Sequence, residues 1–210
     1  MADIKTKNDL LNKLRAYAET PDEDIVLYKN LIYKAFLNCP ELLYAIHEKE
    51  LEPELFDKNG NLNIDESGEP LGEWDRYFGD NGNIRPYLFI PQTQDKVMNF
   101  VCYQVNFDEM PRFNAIEKYC FITFTVLVNG KDRTDNLTGI PRHDLIASII
   151  SERINWSNLF GNQCKLISNK ESITDNDFLV RTLIFQVANL NGILNTTNGQ
   201  TKVINNIVRR

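Results

Sequence analysis

The stretch YCFITFTVLV at residues 119–128 constrains the fold more than any other part of the chain. In an extended backbone, side chains alternate between two faces. Cys120, Ile122, Phe124, Val126 and Val128 therefore share one face, and Tyr119, Phe121, Thr123, Thr125 and Leu127 share the other. Both faces carry apolar or β-branched groups, the signature of a central strand covered on both sides. Whatever else the chain does, it must build a sheet around this run.

The residues that follow supply the partners. After a turn at Asn129-Gly130, Pro141 suits the first position of a helix in which Leu145, Ile146, Ile149, Ile150 and Ile154 recur on one stripe. This amphipathic helix is predicted to lie on the sheet, with Phe124, Val126, Ile146, Ile149, Ile150, Leu183 and Phe185 interior. A polar break over 155–162 precedes a short strand near 165–167 and a longer one at 178–187, where Leu179, Leu183, Phe185 and Val187 align. Upstream, 85–90 (RPYLFI) reads as an edge strand because Pro86 has no amide proton to give a central ladder, and 97–105 reads as another strand.

The N-terminal region is helical by pattern. Leu10, Leu11, Leu14, Tyr17 and Ala18 form a stripe within 7–18, and Thr20-Pro21-Asp22-Glu23 carries the cap, proline and acid of a helix start. The second helix turns Ile25, Tyr28, Leu31, Ile32, Ala35 and Phe36 inward, stops at Asn38-Cys39-Pro40, and is followed by further helical turns over 41–47. Both helices are expected to bury their stripes on the sheet. The fold class is accordingly α+β: a small mixed or antiparallel sheet packed with an amphipathic helix, plus N-terminal helices. One domain over 1–190 is expected, with a long inserted loop at 51–84 and a C-terminal tail or arm at 191–210; no internal repeat stands out.

Composition narrows the function. The chain has 210 residues, a formal charge of −6, four cysteines and two histidines. A net acidic protein is poorly suited to gripping nucleic-acid backbone, which requires clustered Lys and Arg. No run is long and apolar enough for a membrane span, and the start lacks a secretory signal, so the expectation is a soluble, unexported protein. Cys39, Cys102, Cys120 and Cys164 form no C-x-x-C pair and read as buried free thiols.

The candidate chemistry is sparse. Residues 57–68 place Asp57, Asn59, Asn61, Asn63 and Asp65 at the spacing of a calcium loop, but the glycine and glutamate positions hold Leu62 and Gly68. A turn-rich loop is the simpler reading. His143, in Pro141-Arg142-His143-Asp144, is the better placed of the two histidines; as an exposed or half-buried polar residue at a helix start it needs no catalytic role, while Arg142 is within reach of a carboxylate. Lys131 and Asp132 are the nearest approach to a magnesium site beside the central strand and read more simply as a hairpin-type turn over 129–132. No phosphate loop, nucleophile elbow or zinc spacing is present. The expectation is a protein that is not an enzyme, with no catalytic or metal residue and no cofactor; the alternative is a metal-dependent enzyme or calcium-binding module.

The arrangement over 117–187, a long strand, the turn at Asn129-Gly130 with Asp132, the helix opening Arg142-His143-Asp144-Leu145-Ile146 and the closing strand, resembles the tail-terminator and neck-ring proteins of tailed bacteriophages. That resemblance implies a structural virion protein at the head–tail junction, assembled in the host cytoplasm as a homo-oligomeric ring, with a hexamer favoured. It implies contacts with tail tube and neck or connector proteins and a channel through which DNA passes without specific binding. Trp74, Tyr77 and Phe78 in the long loop, and Ile193, Val203 and Ile207 in the tail, are the expected interface residues.

Overall fold

The computed structural model describes residues 6–16, 23–89, 91, 96–107, 117–174, 177–190, 193–195 and 201–203. Helices α1 (Lys7–Ala16), α2 (Glu23–Leu37) and α3 (Pro40–Ile46) come first, followed by 3-10 turns at Glu52–Leu55 and Trp74–Tyr77. Strands β1 (Ile84–Arg85), β2 (Phe100–Phe107) and β3 (Glu117–Asn129) precede α4 (Arg142–Ile154). Strands β4 (Cys164–Ile173) and β5 (Phe178–Leu190) follow, and a short pair, β6 (Ile193–Asn195) and β7 (Thr201–Val203), comes last. The main sheet has the order β1-β2-β3-β5-β4, which puts β3 at its centre, and only β1 runs parallel to its neighbour. The α+β class with a mixed sheet is what the pattern predicted.

The period of β3 explains the layering. Cys120, Ile122, Phe124, Val126 and Val128 are fully buried beneath the helices, beside Leu183, Phe185 and Val187 of β5 and Val101, Tyr103 and Val105 of β2. Phe124 is the centre of this layer: it faces Leu183 across the ladder and packs edge-on against Phe185, with Phe36 of α2 on its other side. Aromatic pairs in this geometry add stability beyond the area they bury. On the opposite face, among the described residues, Phe100, Cys102, Leu127, Phe178 and Val180 form a smaller cluster at one end, and Phe121, Thr123 and Thr125 are half-buried. All four cysteines are buried, and none forms a disulfide.

Several expectations are corrected. The edge strand at 85–90 shrinks to the two residues of β1, because the chain turns away at Pro86, whose nitrogen cannot continue the ladder. The strand near 165–167 is instead the ten-residue β4, with a register shift between Leu166 and Ser168. Ile149 is half-buried, since α4 turns Ile146, Ile150 and Ile154 directly down and Ile149 to the flank. Leu10, Leu11 and Leu14 of α1 do not bury on the sheet; Leu14 is 55% exposed. Tyr17, Ala18 and the proposed start at Thr20, Pro21 and Asp22 lie outside the described residues.

The 51–84 segment is folded in, not a loose excursion. Leu51, Leu55, Trp74, Tyr77 and Ile84 join the main core, and the Trp74 indole N–H donates to the Glu54 carbonyl at 2.9 Å. Trp74 and Tyr77 are 1% and 0% exposed within their own chain, which removes them as interface anchors. Phe78 is half-buried against the Tyr33 ring. A repeat also emerges that residue identities alone obscured. In 56–63 and again in 64–71, an Asp carboxylate oxygen accepts the backbone N–H groups two and four residues on, Asp57 from Asn59 and Asn61, Asp65 from Ser67 and Glu69. Gly60 and Gly68 follow at φ 83° and 85°, a region that suits glycine, and the pairings Phe56↔Leu62 and Ile64↔Pro70 close each turn. The candidate calcium loop is thus two tandem Asx turns.

Candidate functional site: a buried polar knot between two cavities

Helix α3 ends at His47, which takes a left-handed φ of 59°. The last carbonyls of a helix have no donor within it and must find one elsewhere. Here the donors come from distant segments. Arg142 Nη1 donates to the Ala45 carbonyl at 3.0 Å, and Asn99 Nδ2 donates to the Ile46 carbonyl at 2.9 Å. Arg142 opens α4 and Asn99 precedes β2, so these two side chains bind the end of α3 to the sheet and to the crossover helix.

Asp132 gathers the same groups. Its Oδ2 accepts from Asn99 Nδ2 at 2.7 Å and lies 3.0 Å from both Arg142 Nε and His47 Nδ1. Because a carboxylate oxygen only accepts, His47 Nδ1 carries a proton, and in the neutral imidazole Nε2 is left as an acceptor. Asp135 adds a second carboxylate, with Oδ1 3.4 Å from Arg142 Nη1 and Oδ2 accepting from both the Thr138 amide and hydroxyl at 2.8 Å. Burial pushes the Asp135 carboxyl up, yet the Thr138 hydrogen bonds and the Arg142 charge outweigh it and hold the group below the usual carboxylate range. The knot extends through Asn83, whose amide donates to the Asn99 carbonyl at 2.8 Å, to buried Glu48, which pairs with Lys96 at 3.0 Å.

The turn at 129–132 forms, with the Asp132 amide donating to the Asn129 carbonyl at 2.8 Å, but it does not lead into a hairpin: β3 ends at Asn129 and the chain continues through 130–141 into α4. Gly130 is required there, since a Cβ would lie 2.7 Å from the Asp177 carbonyl. Two cavities flank the knot. One, of about 360 Å³, is lined by His47, Glu48, Lys96, Lys131 and Asp132; the other, of about 320 Å³, by Tyr44, His47, Glu52, Asp135, Asn136 and Arg142. His47 lines both. The described lining contains no serine, threonine or cysteine, and its one side-chain hydroxyl is the Tyr44 phenol.

Residues 40–187 match the YomW family model. The chain belongs to the YomW family. YomW is a Bacillus prophage gene name, and the protein is accordingly phage-related. No curated protein matches the chain. The YomW span opens at the first residue of α3 and closes within β5, so it takes in every member of the polar knot and leaves out α1 and α2.

The structure sorts the expected residues. Arg142 reaches carboxylates, as its position implied, and it reaches two. His143 is not exposed or half-buried: it is buried, with Nε2 3.3 Å from Glu171 Oε1 and no partner on Nδ1 among the described residues. His47, set aside in favour of His143, is the histidine at the knot. Asn83 and Asn99 were missed, and the only available signal was an amide flanking each of two strand-like runs. Of the expected interface set, Ile193 and Val203 are register partners in the β6–β7 ladder, and Ile207 lies outside the described residues.

Proposed function

We propose that this YomW-family protein is a structural component of the phage particle at the junction of tail and head, where it acts without catalysis as one subunit of a closed ring. The observation that carries the reading is a pair of unlike apolar surfaces left exposed among the described residues. One is the outer side of β4, where Ile173 is 67% exposed and Ile167 stands out at the register shift; the edge at 164–166 is closed by the 155–157 segment, whose Trp156, 56% exposed, lies beside Lys165, and among the described residues no strand covers the edge beyond it. The other is the leucine stripe of α1. A ring of identical subunits needs such unlike surfaces, since each contact joins one face to a different face of the next copy. An open edge strand presents unpaired amides and carbonyls that a neighbour's strand or segment can complete.

In this reading the polar knot is a clamp. It locks α3, the 129–141 connection and α4 to the sheet, keeping the subunit rigid while load passes between tail and head. The acidic surface lets DNA pass a central channel without electrostatic capture. Electron microscopy of the assembled protein and of phage particles tests the proposal. Closed rings at the tail–head junction with β4 at the subunit boundary are expected, with a sixfold ring favoured. A monomer that never joins a particle would overturn it.

A further inference from the structure

The outer edge of β4 is closed along one half and open along the other. At its start the Trp156 amide donates to the Cys164 carbonyl at 2.6 Å, the Cys164 amide to the Ser157 carbonyl at 3.0 Å, and the Leu166 amide to the Asn155 side-chain oxygen at 2.8 Å. The register shift between Leu166 and Ser168 ends that cover. From Ser168 to Ile173 the strand pairs with β5 on one side, and among the described residues no strand pairs with it on the other. The amides and carbonyls along such an edge are a template for one more strand.

A second element lacks what this edge offers. Strands β6 and β7 form a two-stranded sheet of their own, with Ile193 opposite Val203 and Asn195 opposite Thr201. Such a pair is marginal in water and gains stability from a third strand. It cannot take the open edge of its own subunit. The middle of that edge, where Lys170 pairs with Thr182, lies eight residues back along β5 from Leu190, about 26 Å away. Asn195, the far end of β6, is five residues past Leu190, a reach of about 17 Å, and Thr201 adds one strand spacing of about 5 Å. We propose that the β6–β7 pair of one subunit docks on the 168–173 edge of the next copy and extends that copy's five-stranded sheet. This rests on the ring reading and names the segment that crosses the β4 boundary. Main-chain hydrogen bonds carry the contact, which suits an edge whose side chains from Ser168 to Ser172 are all polar. Each copy gives a strand pair at one place and receives one at another, so the contact joins unlike surfaces.

The test assembles the full chain from a mixture of isotope-labelled and unlabelled protein, treats it with a bis-succinimidyl lysine cross-linker and reads the links by mass spectrometry. Links between Lys170 of one label and Lys202 of the other are expected. Amides within 168–173 should exchange with deuterium about tenfold more slowly in the assembly than in the free subunit, the worth of one hydrogen bond. Val203→Pro, which takes a backbone N–H from β7, should abolish the link between copies and leave the thermal midpoint of the subunit unchanged. Rings in which Lys170 and Lys202 link only within one label, or not at all, overturn the docking and leave the ring reading standing. Slowed exchange over 168–173 without the link assigns the edge to a different strand and overturns the proposal, and a link that survives Val203→Pro does so too, because it shows proximity without pairing. Failure of the chain to assemble removes the ring reading and this proposal together.

Discussion

At the scale of single residues, Asp132 is the position on which most depends. It faces Arg142, whose side chain is 2% exposed, and its loss leaves that charge buried with only the more distant Asp135. Removing one partner of a buried pair is far more damaging than replacing both with apolar groups. Asp132→Ala should therefore destabilise the fold by about 3 to 5 kcal/mol in urea unfolding. Asp135 sets a pH dependence. Its folded value is depressed, so its contribution is present above the ordinary value of 3.8 and is lost as the pH falls through the folded one. The stability difference between the protein and Asp135→Asn should shrink as the medium is acidified below that ordinary value, as thermal melts across the acid range would show. The cysteines give a third test: burial pushes the Cys164 thiol to about 12 and that of Cys39 to about 11. Thiolate is the reactive form, so a thiol reagent at neutral pH should label neither residue until the protein unfolds.

At the scale of elements, β3 and α4 follow from period and spacing, and their burial sets the cost of truncation. Phe124→Ala, at the centre of the aromatic layer, should cost about 3 to 5 kcal/mol, whereas Ile149→Ala, on the flank of α4, should cost clearly less than Ile150→Ala by the same denaturant measurement. Equal losses at Ile149 and Ile150 would contradict the helix orientation. The 51–84 segment was hard to read for a physical reason. Its core residues, Leu51, Leu55, Trp74, Tyr77 and Ile84, are spaced by turns and 3-10 pieces, so they show neither a helical nor a strand period. Its Asx turns were legible as turn chemistry, and the tandem register was visible only through matching hydrogen bonds. The stripe of α1 misled in the opposite direction: an amphipathic pattern states that a face is apolar, not what covers it.

At the scale of the whole molecule, the ring reading makes the exposed face of β4 the informative target. Ile173→Glu and Trp156→Glu remove apolar surface and add like charge there, so they should abolish rings seen by electron microscopy while leaving the thermal midpoint of the subunit nearly unchanged; a large drop in that midpoint would show the side chains to be part of the fold. What the sequence determined by itself was the central strand, the crossover helix, the α+β class and the burial of the four thiols, because each is encoded by local periodicity or side-chain polarity within a short window. Only the tertiary structure decided the rest. His47, Asn99, Asp132 and Arg142 stand far apart in the chain, and no local pattern pairs them. They converge because the end of α3 needs donors, and the sheet order places β2 and the start of α4 beside it. The same packing buried Trp74 and Tyr77, which composition alone had placed outside, since a segment's polarity reports its average exposure and not where its few large apolar side chains fit.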